Sequence, residues 1–257
     1  MKKTKSYLKY VRAMLPTSLK KIIYRVGMYF GSAPLDIYPS VQASLSTLKN
    51  QGFSPSNCID IGAYKGEWTD IFKSIFPNAK ILMVEAQNGK KEELEQVMQK
   101  YKGSVILESQ LLSARPNEKV VFYEMESGSS VLPELTNHPR SSIELNTQTL
   151  DNLTQKHTDF KKLDFLKLDT QGYELEILKG GDDTLKNTKV LLLEVSLIPY
   201  NAGGPLIAEV IEYLDKKNFQ LFDFCSQFRK ADGVLFQTDL LFLNRDSDLL
   251  PEPEIKL

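Results

Sequence analysis

The sequence predicts an α/β fold in which a mainly parallel sheet carries helices on both faces. From about residue 40 onward, short apolar segments alternate with amphipathic segments of helical length, as in chains that build parallel sheets. Residues 190–195 are almost purely apolar, which is typical of a strand covered on both sides. The chain has 257 residues, so it can bury a core without disulfide or metal support.

The first half of the pattern contains five predicted elements. Strands are predicted at 57–61, 80–85 and 104–107, and helices at 67–76 and 89–101. The first helix places Trp68, Phe72 and Ile75 on one face, and Pro77 follows its end.

The second half begins with a predicted insertion and then resumes the alternation. A β-hairpin is predicted from strands 111–113 and 119–125, and a Ser-, Pro- and Asn-rich loop follows at 126–143. Further strands are predicted at 164–169 and 190–195, helices at 173–186 and 205–217, and closing strands at 219–224 and 239–243. We therefore expect one α/β domain at 46–250 and a C-terminal tail at 251–257.

Composition excludes several function classes. The formal net charge is −1, so there is no overall basic field to attract nucleic acid. Two cysteines by themselves cannot supply a disulfide framework or a zinc site, and two histidines cannot supply a multi-histidine metal centre. We expect a cytoplasmic protein with no metal cofactor and no nucleic-acid partner.

The first 45 residues have a composition of their own. Eight basic residues and no acidic ones precede Asp36, and apolar residues lie between them at helical spacing. This predicts a basic amphipathic helical extension, but no run reaches the roughly 20 apolar residues of a spanning helix. Two interpretations stay open: residues 1–30 contact the inner face of a membrane peripherally, or they pack on the domain as a cap.

The segment after the first predicted strand has the features of a ligand-binding turn. Ligands of parallel sheets bind at the carboxyl ends of the strands. Asp60 is followed here by Gly62 and Gly66, whose spacing is not that of the dinucleotide or phosphate-binding motifs. An acidic residue before the first glycine is unfavourable for a pyrophosphate, and it suits an amine-bearing ligand instead.

The end of the second strand adds a second acid, Glu85, which can accept both hydroxyl protons of a ribose. An acid with glycines at one strand end and an acid at the next predict a nucleoside site, and they favour S-adenosylmethionine over NAD. Gln110, after the third strand, is placed to bond an adenine edge. The predicted cofactor-binding residues are Asp60, Gly62, Ala63, Tyr64, Gly66, Glu85, Ala86, Gln110, Leu111 and Asp169.

The predicted strand at 164–169 carries two charges where an apolar residue is expected. Alternation puts Lys167 and Asp169 on one side of the strand. One interpretation makes Asp169 a catalytic group at the cofactor's reactive end with Lys167 as its charge partner, and the other makes them a structural ion pair. Glu194 and His138 are alternative catalytic bases.

Six ordered segments together resemble the FkbM-type family of S-adenosylmethionine-dependent methyltransferases. They cover roughly residues 58–242, and the most specific is Lys167-x-Asp169-x-Gln171-Gly172-x-Glu174 followed by Leu178-Lys179-Gly180. The others include the Asp60 and Glu85 turns, Ser129-Ser130 and Thr149-Leu150-Asp151. Departures are Ala86, where the family usually has Pro, and Tyr64-Lys65, where it has Asn or Glu.

The resemblance implies a Rossmann-like class I methyltransferase fold with an inserted β-hairpin. It also implies O-methylation of a hydroxyl on a sugar, a glycan (lipid-linked ones included) or a related secondary metabolite. Two alternatives stay open: a different nucleotide-binding Rossmann-like enzyme of glycan biosynthesis, and a non-catalytic relative. Residues 114–148 and 200–204 are expected to cover the acceptor.

Overall fold

A computed structural model describes residues 39–250 of the chain. The predicted membrane-contacting segment at 1–30 and the tail at 251–257 lie outside these described residues. The first described helix spans Val41–Asn50, so the predicted domain boundary between residues 45 and 46 falls within a single helix.

The elements follow one another in α/β order. In chain order they are α1 (Val41–Asn50), β1 (Asn57–Ile61), α2 (Glu67–Ile75), β2 (Lys80–Glu85), α3 (Lys91–Lys100), β3 (Val105–Ser109), β4 (Leu111–Leu112), β5 (Lys119–Glu124), β6 (Ser141–Gln148), α4 (Leu150–Lys156), β7 (Leu163–Leu168), α5 (Glu174–Lys179), α6 (Asp182–Lys186), β8 (Thr188–Ser196), α7 (Ile207–Lys216), β9 (Phe219–Phe224), β10 (Phe228–Arg229) and β11 (Leu235–Asn244).

The main sheet has eight strands in the order β10-β11-β8-β7-β1-β2-β3, and β9 also pairs with β11. Strands β3, β2, β1, β7 and β8 are parallel to one another, whereas β11 is antiparallel to β8 and to β9. The strand order reverses beside β1, which has β2 on one side and β7 on the other. Such a switch point is where open α/β sheets bind their ligands.

The core lies on both faces of this sheet, as the apolar strands predict. In β7, Phe165 packs into one buried cluster and its neighbour Leu166 into the other. Phe165 contacts Trp68 and Phe72 of α2, with ring centroids 5.6 and 5.0 Å away. The predicted fold class, a mainly parallel sheet with helices on both faces, is therefore confirmed.

The predicted hairpin in the insertion is wrong in its pairing. Strand β5 pairs antiparallel with β6, not with the segment around Leu111, and β4 pairs with β6 in parallel. The three strands form a separate sheet in the order β4-β6-β5. Residues 141–143, predicted as loop, belong to β6. The prediction failed because β6 pairs with β5 across a long connection, and such a pairing leaves no pattern in the local sequence.

The predicted helix at 173–186 is two helices, α5 and α6, separated at Gly180 and Gly181. A Cβ at Gly180 would lie 2.3 Å from the carbonyl oxygen of Ser113, so this glycine lets the insertion approach the helix pair. The adjoining Asp151 accepts hydrogen bonds from the backbone N–H of Thr184 at 2.8 Å and from its hydroxyl at 2.7 Å. Gly180 therefore lets the insertion approach α5, and Asp151 joins α4 to α6.

Candidate functional site

A cavity of about 410 Å³ opens at the carboxyl ends of β1, β2 and β7 and is bounded on its other side by the insertion. Its volume lies within the range of small-molecule sites. The predicted site residues that line it are Gly62, Ala63, Tyr64, Glu85, Ala86, Gln110, Leu111, Lys167 and Asp169. Asp60, Gly66, Glu194 and His138 are not among its lining residues.

The turn after β1 brings the backbone of β7 close to the cavity. Gly62 has φ of +72°, and a Cβ there would lie 1.9 Å from the carbonyl oxygen of Asp169. Only glycine fits that position, since both the left-handed conformation and the close approach exclude a side chain. Tyr64 is also left-handed, with φ of 51°, and Gly66 precedes α2 as its N-cap.

Asp60 and Lys167 form a buried ion pair beneath the cavity. They are direct partners in the β1–β7 register, and the Lys167 Nζ lies 3.0 Å from Asp60 Oδ1. Asp60 is fully buried and accepts a second contact from the Thr69 hydroxyl at 2.7 Å. In the structure the Asp60 carboxylate compensates Lys167 and does not line the cavity, so its role at the methionyl end of the cofactor stays a prediction.

Lys167 contacts three groups beneath the cavity: the Asp60 carboxylate, the Gly62 carbonyl oxygen and the Asp169 carboxylate. Its ammonium donates to the carbonyl oxygen of Gly62 at 2.9 Å and lies 3.8 Å from Asp169 Oδ2. Burial alone would lower the pKa of Lys167, but the carboxylates of Asp60 and Asp169 outweigh burial and raise it. Lys167 therefore stays charged and joins β1, the glycine turn and Asp169.

Glu85 ends β2 inside the cavity with both oxygens held. Oε2 accepts the backbone N–H of Tyr64 at 2.7 Å, and Oε1 accepts that of Gln87 at 2.8 Å. Burial raises the pKa of Glu85 against the lowering effect of these donors. A carboxylate has about four acceptor positions, so Glu85 keeps capacity for two ribose hydroxyls.

Asp169 lies just beyond β7 and is the most accessible of these acids, with 38% of its side chain exposed. Gln171 Nε2 donates to its Oδ1 at 3.0 Å. The following turn is held by the buried Glu174, which accepts from the backbone N–H of Thr170 at 2.7 Å and from that of Gly172 at 3.3 Å. Burial raises the pKa of Glu174 to about 7.

Glu194 lies behind Asp169 rather than in the cavity. Its Oε1 accepts from Gln171 Nε2 and from Gln237 Nε2, both at 2.8 Å. Burial, together with the charges of Asp169 and Asp239, raises its pKa well above the usual value. Glu194 is therefore outside the cavity lining, and its role as an alternative base stays a prediction.

Asp239 is directly opposite Glu194 because β11 runs antiparallel to β8. Burial raises the pKa of Asp239 to about 6. His138 is exposed in the loop after β5, where its backbone N–H donates to the Thr136 hydroxyl at 3.3 Å. His138 does not line the cavity, and its role as a candidate base stays a prediction.

Sequence reasoning missed several lining residues. Five different segments contribute such residues to the lining: Trp68, Gln87, Ser127 with Val131, Tyr173 and Phe228. Gln171 belongs to the family motif, and its polar side chain two positions after a strand-end acid is a usable signal of a site residue. Phe228 gave no signal, because it reaches the cavity only through the pairing of β10 with β11.

Within residues 39–250, no group of three or more His, Cys, Asp and Glu side chains is arranged to hold a metal ion. Over the same residues, no helix has the length and apolar character that crossing a membrane requires.

Comparison with known proteins decides the family. Residues 60–221 match the model of the methyltransferase FkbM domain. The chain belongs to the FkbM methyltransferase family. It is therefore an S-adenosylmethionine-dependent methyltransferase with a Rossmann-like class I fold, as the sequence resemblance implied.

Solved structures similar to this FkbM methyltransferase show low identity. A putative O-methyltransferase from Klebsiella pneumoniae has 12% identity and a TM-score of 0.47, with 93% of this chain and 95% of that chain covered. Precorrin-6y C5,15-methyltransferase from Geobacter metallireducens has 13% identity and a TM-score of 0.45, with 79% and 86% covered. Magnesium protoporphyrin IX methyltransferase from Synechocystis, solved with S-adenosylmethionine bound, has 12% identity and a TM-score of 0.46, with 79% of this chain and 77% of that chain covered. No curated protein matches the chain.

The cavity suits the family's cofactor on its own evidence. Gly62 lets the turn after β1 pack directly against the carbonyl oxygen of Asp169, so the turn and the end of β7 border the same cavity. Glu85 offers carboxylate positions for a ribose, and Gln110 and Leu111, predicted to contact an adenine, line the same cavity. These residues therefore fit S-adenosylmethionine.

Proposed function

We propose that this FkbM methyltransferase transfers a methyl group to a hydroxyl of a sugar or glycan in glycan biosynthesis. The observation that carries the proposal is the placement of Asp169. It is a partly exposed carboxylate at the end of a central strand, in the same cavity as the cofactor-binding turns.

S-adenosylmethionine, when bound, supplies an electrophilic methyl group. The chain's own contribution is to hold the acceptor oxygen in line and to accept its proton. Asp169 fits the second task because its Oδ2 is not hydrogen-bonded by any described residue and lies 3.8 Å from the charged Lys167. Lys167 would offset the negative charge near the reacting oxygen.

The loop after β5, which lines the cavity, supports a polar acceptor. The loop after β5 contributes Ser127, Ser129 and Ser130 to the lining. It is joined to the loop after β8 by hydrogen bonds from the Leu135 N–H to Tyr200 at 2.8 Å and from the Ala202 N–H to Pro133 at 2.9 Å. The two segments predicted to cover the acceptor, 114–148 and 200–204, are thus joined by backbone hydrogen bonds.

The lining carries one cation, Lys167, and its ammonium is already engaged by Asp60 and Gly62. A phosphate or carboxylate on the acceptor would find no free positive charge among the described lining residues. This favours an uncharged, hydroxyl-rich acceptor such as a neutral sugar. We propose that the reaction takes place in the cytoplasm, on a free or lipid-linked acceptor.

The test is Asp169→Asn, assayed with a radiolabelled methyl donor against a panel of neutral sugars and glycans. We expect turnover to fall by roughly 10²–10⁴-fold, which is the usual contribution of a general base. Calorimetric binding of S-adenosylhomocysteine is expected to persist. Asp183→Asn, an exposed acid on α6, is the matched control and keeps full turnover.

Near-normal turnover by Asp169→Asn would exclude Asp169 as the base. Methyl transfer to an amine acceptor, with no transfer to any hydroxyl, would overturn O-methylation while leaving the methyltransferase assignment intact.

A further inference from the structure

One amide group joins the two carboxylates at the end of β7 and β8. Gln171 Nε2 lies 3.0 Å from Asp169 Oδ1 and 2.8 Å from Glu194 Oε1. Asp169 and Gln171 line the cavity, whereas Glu194 is outside the lining. Gln171 therefore connects the acid that faces the acceptor to an acid behind it.

The orientation of this amide follows from its neighbours. Both carboxyl groups offer an acceptor oxygen at hydrogen-bond distance, so the NH₂ end of the amide is assigned to face them. The two amide hydrogens are then both used, one for each acid. The carbonyl oxygen of the Gln171 side chain has no hydrogen-bond donor among the described residues.

The backbone of Gln171 is held in an uncommon conformation. Its φ is 53°, in the left-handed region that a residue with a long side chain rarely adopts. The Ser130 hydroxyl donates to the carbonyl oxygens of Thr170 and Gln171, at 3.1 and 3.0 Å, and fixes the turn from the insertion. Strained residues that the surroundings hold in place are concentrated at functional sites.

The charges around Glu194 explain why a neutral bridge is needed. Asp169, Asp239 and Glu174 all place negative charge near it, and Lys167 is the cation that acts on it. Glu194 in turn acts on the Tyr200 phenol. The groups in direct contact with Glu194 Oε1 are the amides of Gln171 and Gln237.

We propose that Gln171 is a positioning residue for the methyl transfer: it fixes Asp169 through Oδ1, so that Oδ2 alone is presented to the acceptor hydroxyl. The acceptor oxygen bonds the methyl carbon as the bond from that carbon to the sulfonium sulfur breaks, with its electron pair going to sulfur and S-adenosylhomocysteine leaving. The acceptor O–H bond breaks in the same reaction, and its proton goes to Oδ2. Gln171 undergoes no covalent change. This inference rests on the proposed role of Asp169.

The experiment compares Gln171→Met, which has similar length but no donor, with Gln171→Glu, which adds a third acid to the pair. Gln237→Met removes the other amide from Glu194 without touching Asp169. Gln99→Glu, on the exposed face of α3, adds the same charge outside the cluster. All are checked first by calorimetric binding of S-adenosylhomocysteine, which shows that each variant folds with its cofactor site intact.

For Gln171→Met we expect kcat to fall on the order of 100-fold, as for a misplaced catalytic group, with the acceptor KM within a few-fold. The acidic limb of the kcat pH profile should move to higher pH, because a lost N–H donor destabilises a charged carboxylate. Gln171→Glu should move it further. Gln237→Met and Gln99→Glu should leave this limb in place.

A pH profile of Gln171→Met that coincides with wild type, or one that moves equally in Gln237→Met, overturns the proposal. A second readout needs no acceptor: the ¹³C carboxyl signal of Glu194, identified by its loss in Glu194→Gln, is titrated in the complex with S-adenosylhomocysteine. An unchanged titration in Gln171→Met also overturns the bridge. Normal turnover by Asp169→Asn would refute the proposed base, whatever this titration shows.

Discussion

The carboxyl edge of the main sheet and the insertion at residues 111–148 face each other across one cavity, but they are built differently. At the edge, Asp60 and Lys167 are buried charges, each compensated by the other. In the insertion, β5 buries only Phe122 and β6 buries only Thr147.

The difference separates two tasks. At the edge, the cofactor turns and Asp169 are held by contacts that depend on one another. Removing one partner leaves a buried charge without compensation, which costs stability. The insertion depends on backbone pairing and partly exposed side chains, which tolerate substitution and local opening. We infer that the edge carries the chemistry that the family shares and that the insertion carries acceptor preference.

The largest expected effect comes from breaking the edge. Lys167→Met leaves the fully buried Asp60 without a cation, so we expect the free energy of unfolding to fall by about 3–5 kcal/mol. Urea unfolding followed by circular dichroism measures it. The counterpart in the insertion is Arg140→Met, which removes side-chain donors to the carbonyl oxygens of Glu134 and Thr136 and should cost about 1 kcal/mol.

Adding Asp60→Asn to Lys167→Met should restore part of the lost stability, since the uncompensated charge is then gone. Equal losses in Lys167→Met and Arg140→Met would show that the two regions are held alike and would contradict the comparison.

A medium effect is expected from pH, again at the edge. Burial raises the pKa of Glu174 to about 7, whereas the unfolded chain titrates it near its usual value. The folded state therefore binds the extra proton, and its stability falls as pH rises from about 4.5 through 7. For this shift the free energy of unfolding falls by about 3 kcal/mol over that pH range.

Glu174→Gln tests this directly, because the amide oxygen can still accept the Thr170 N–H and cannot ionise. We expect the variant to match wild type at pH 5 and to be more stable by up to about 3 kcal/mol at pH 8. Thermal unfolding across this range measures the difference. A variant that is less stable than wild type at pH 8 would show that Glu174 is needed as an anion.

The fold was largely predictable where both faces of a strand are covered. Strands β1, β2, β7 and β8 were predicted within one or two residues, because a buried parallel strand is apolar over its whole length. Strand β6 was not, although Ile143, Leu145 and Thr147 alternate with polar residues. Its partner β5 is reached through a long loop, and such pairing has no local signal.

The site shows the same limit. Alternation along β7 predicts that Lys167 and Asp169 are neighbours, and the Lys167 Nζ lies 3.8 Å from Asp169 Oδ2. The closer partner of Lys167 is Asp60, at 3.0 Å, through the register between β1 and β7. A sequence states which residues share a strand face, but register between strands is a property of the assembled sheet.

The smallest expected effect concerns the contact that joins the two regions. The Tyr64 hydroxyl, beside the cofactor turn, donates to Glu126 Oε2 of the insertion at 2.8 Å, and Lys90 reaches the same oxygen at 2.9 Å. Glu126 is largely exposed, so water screens both contacts and each contributes little. Tyr64→Phe should therefore weaken binding of S-adenosylhomocysteine by no more than about fivefold.

Trp68 is the only tryptophan of the chain and lines the cavity, so its fluorescence reports this binding directly. Glu126→Gln should have a similar small effect, and the double variant should lose less than the sum, since both remove one contact. High salt should reduce the difference between wild type and Glu126→Gln. A loss of a hundredfold or more in Tyr64→Phe would mean that the insertion holds the cofactor as firmly as the edge does, and the division between the two regions would have to be withdrawn.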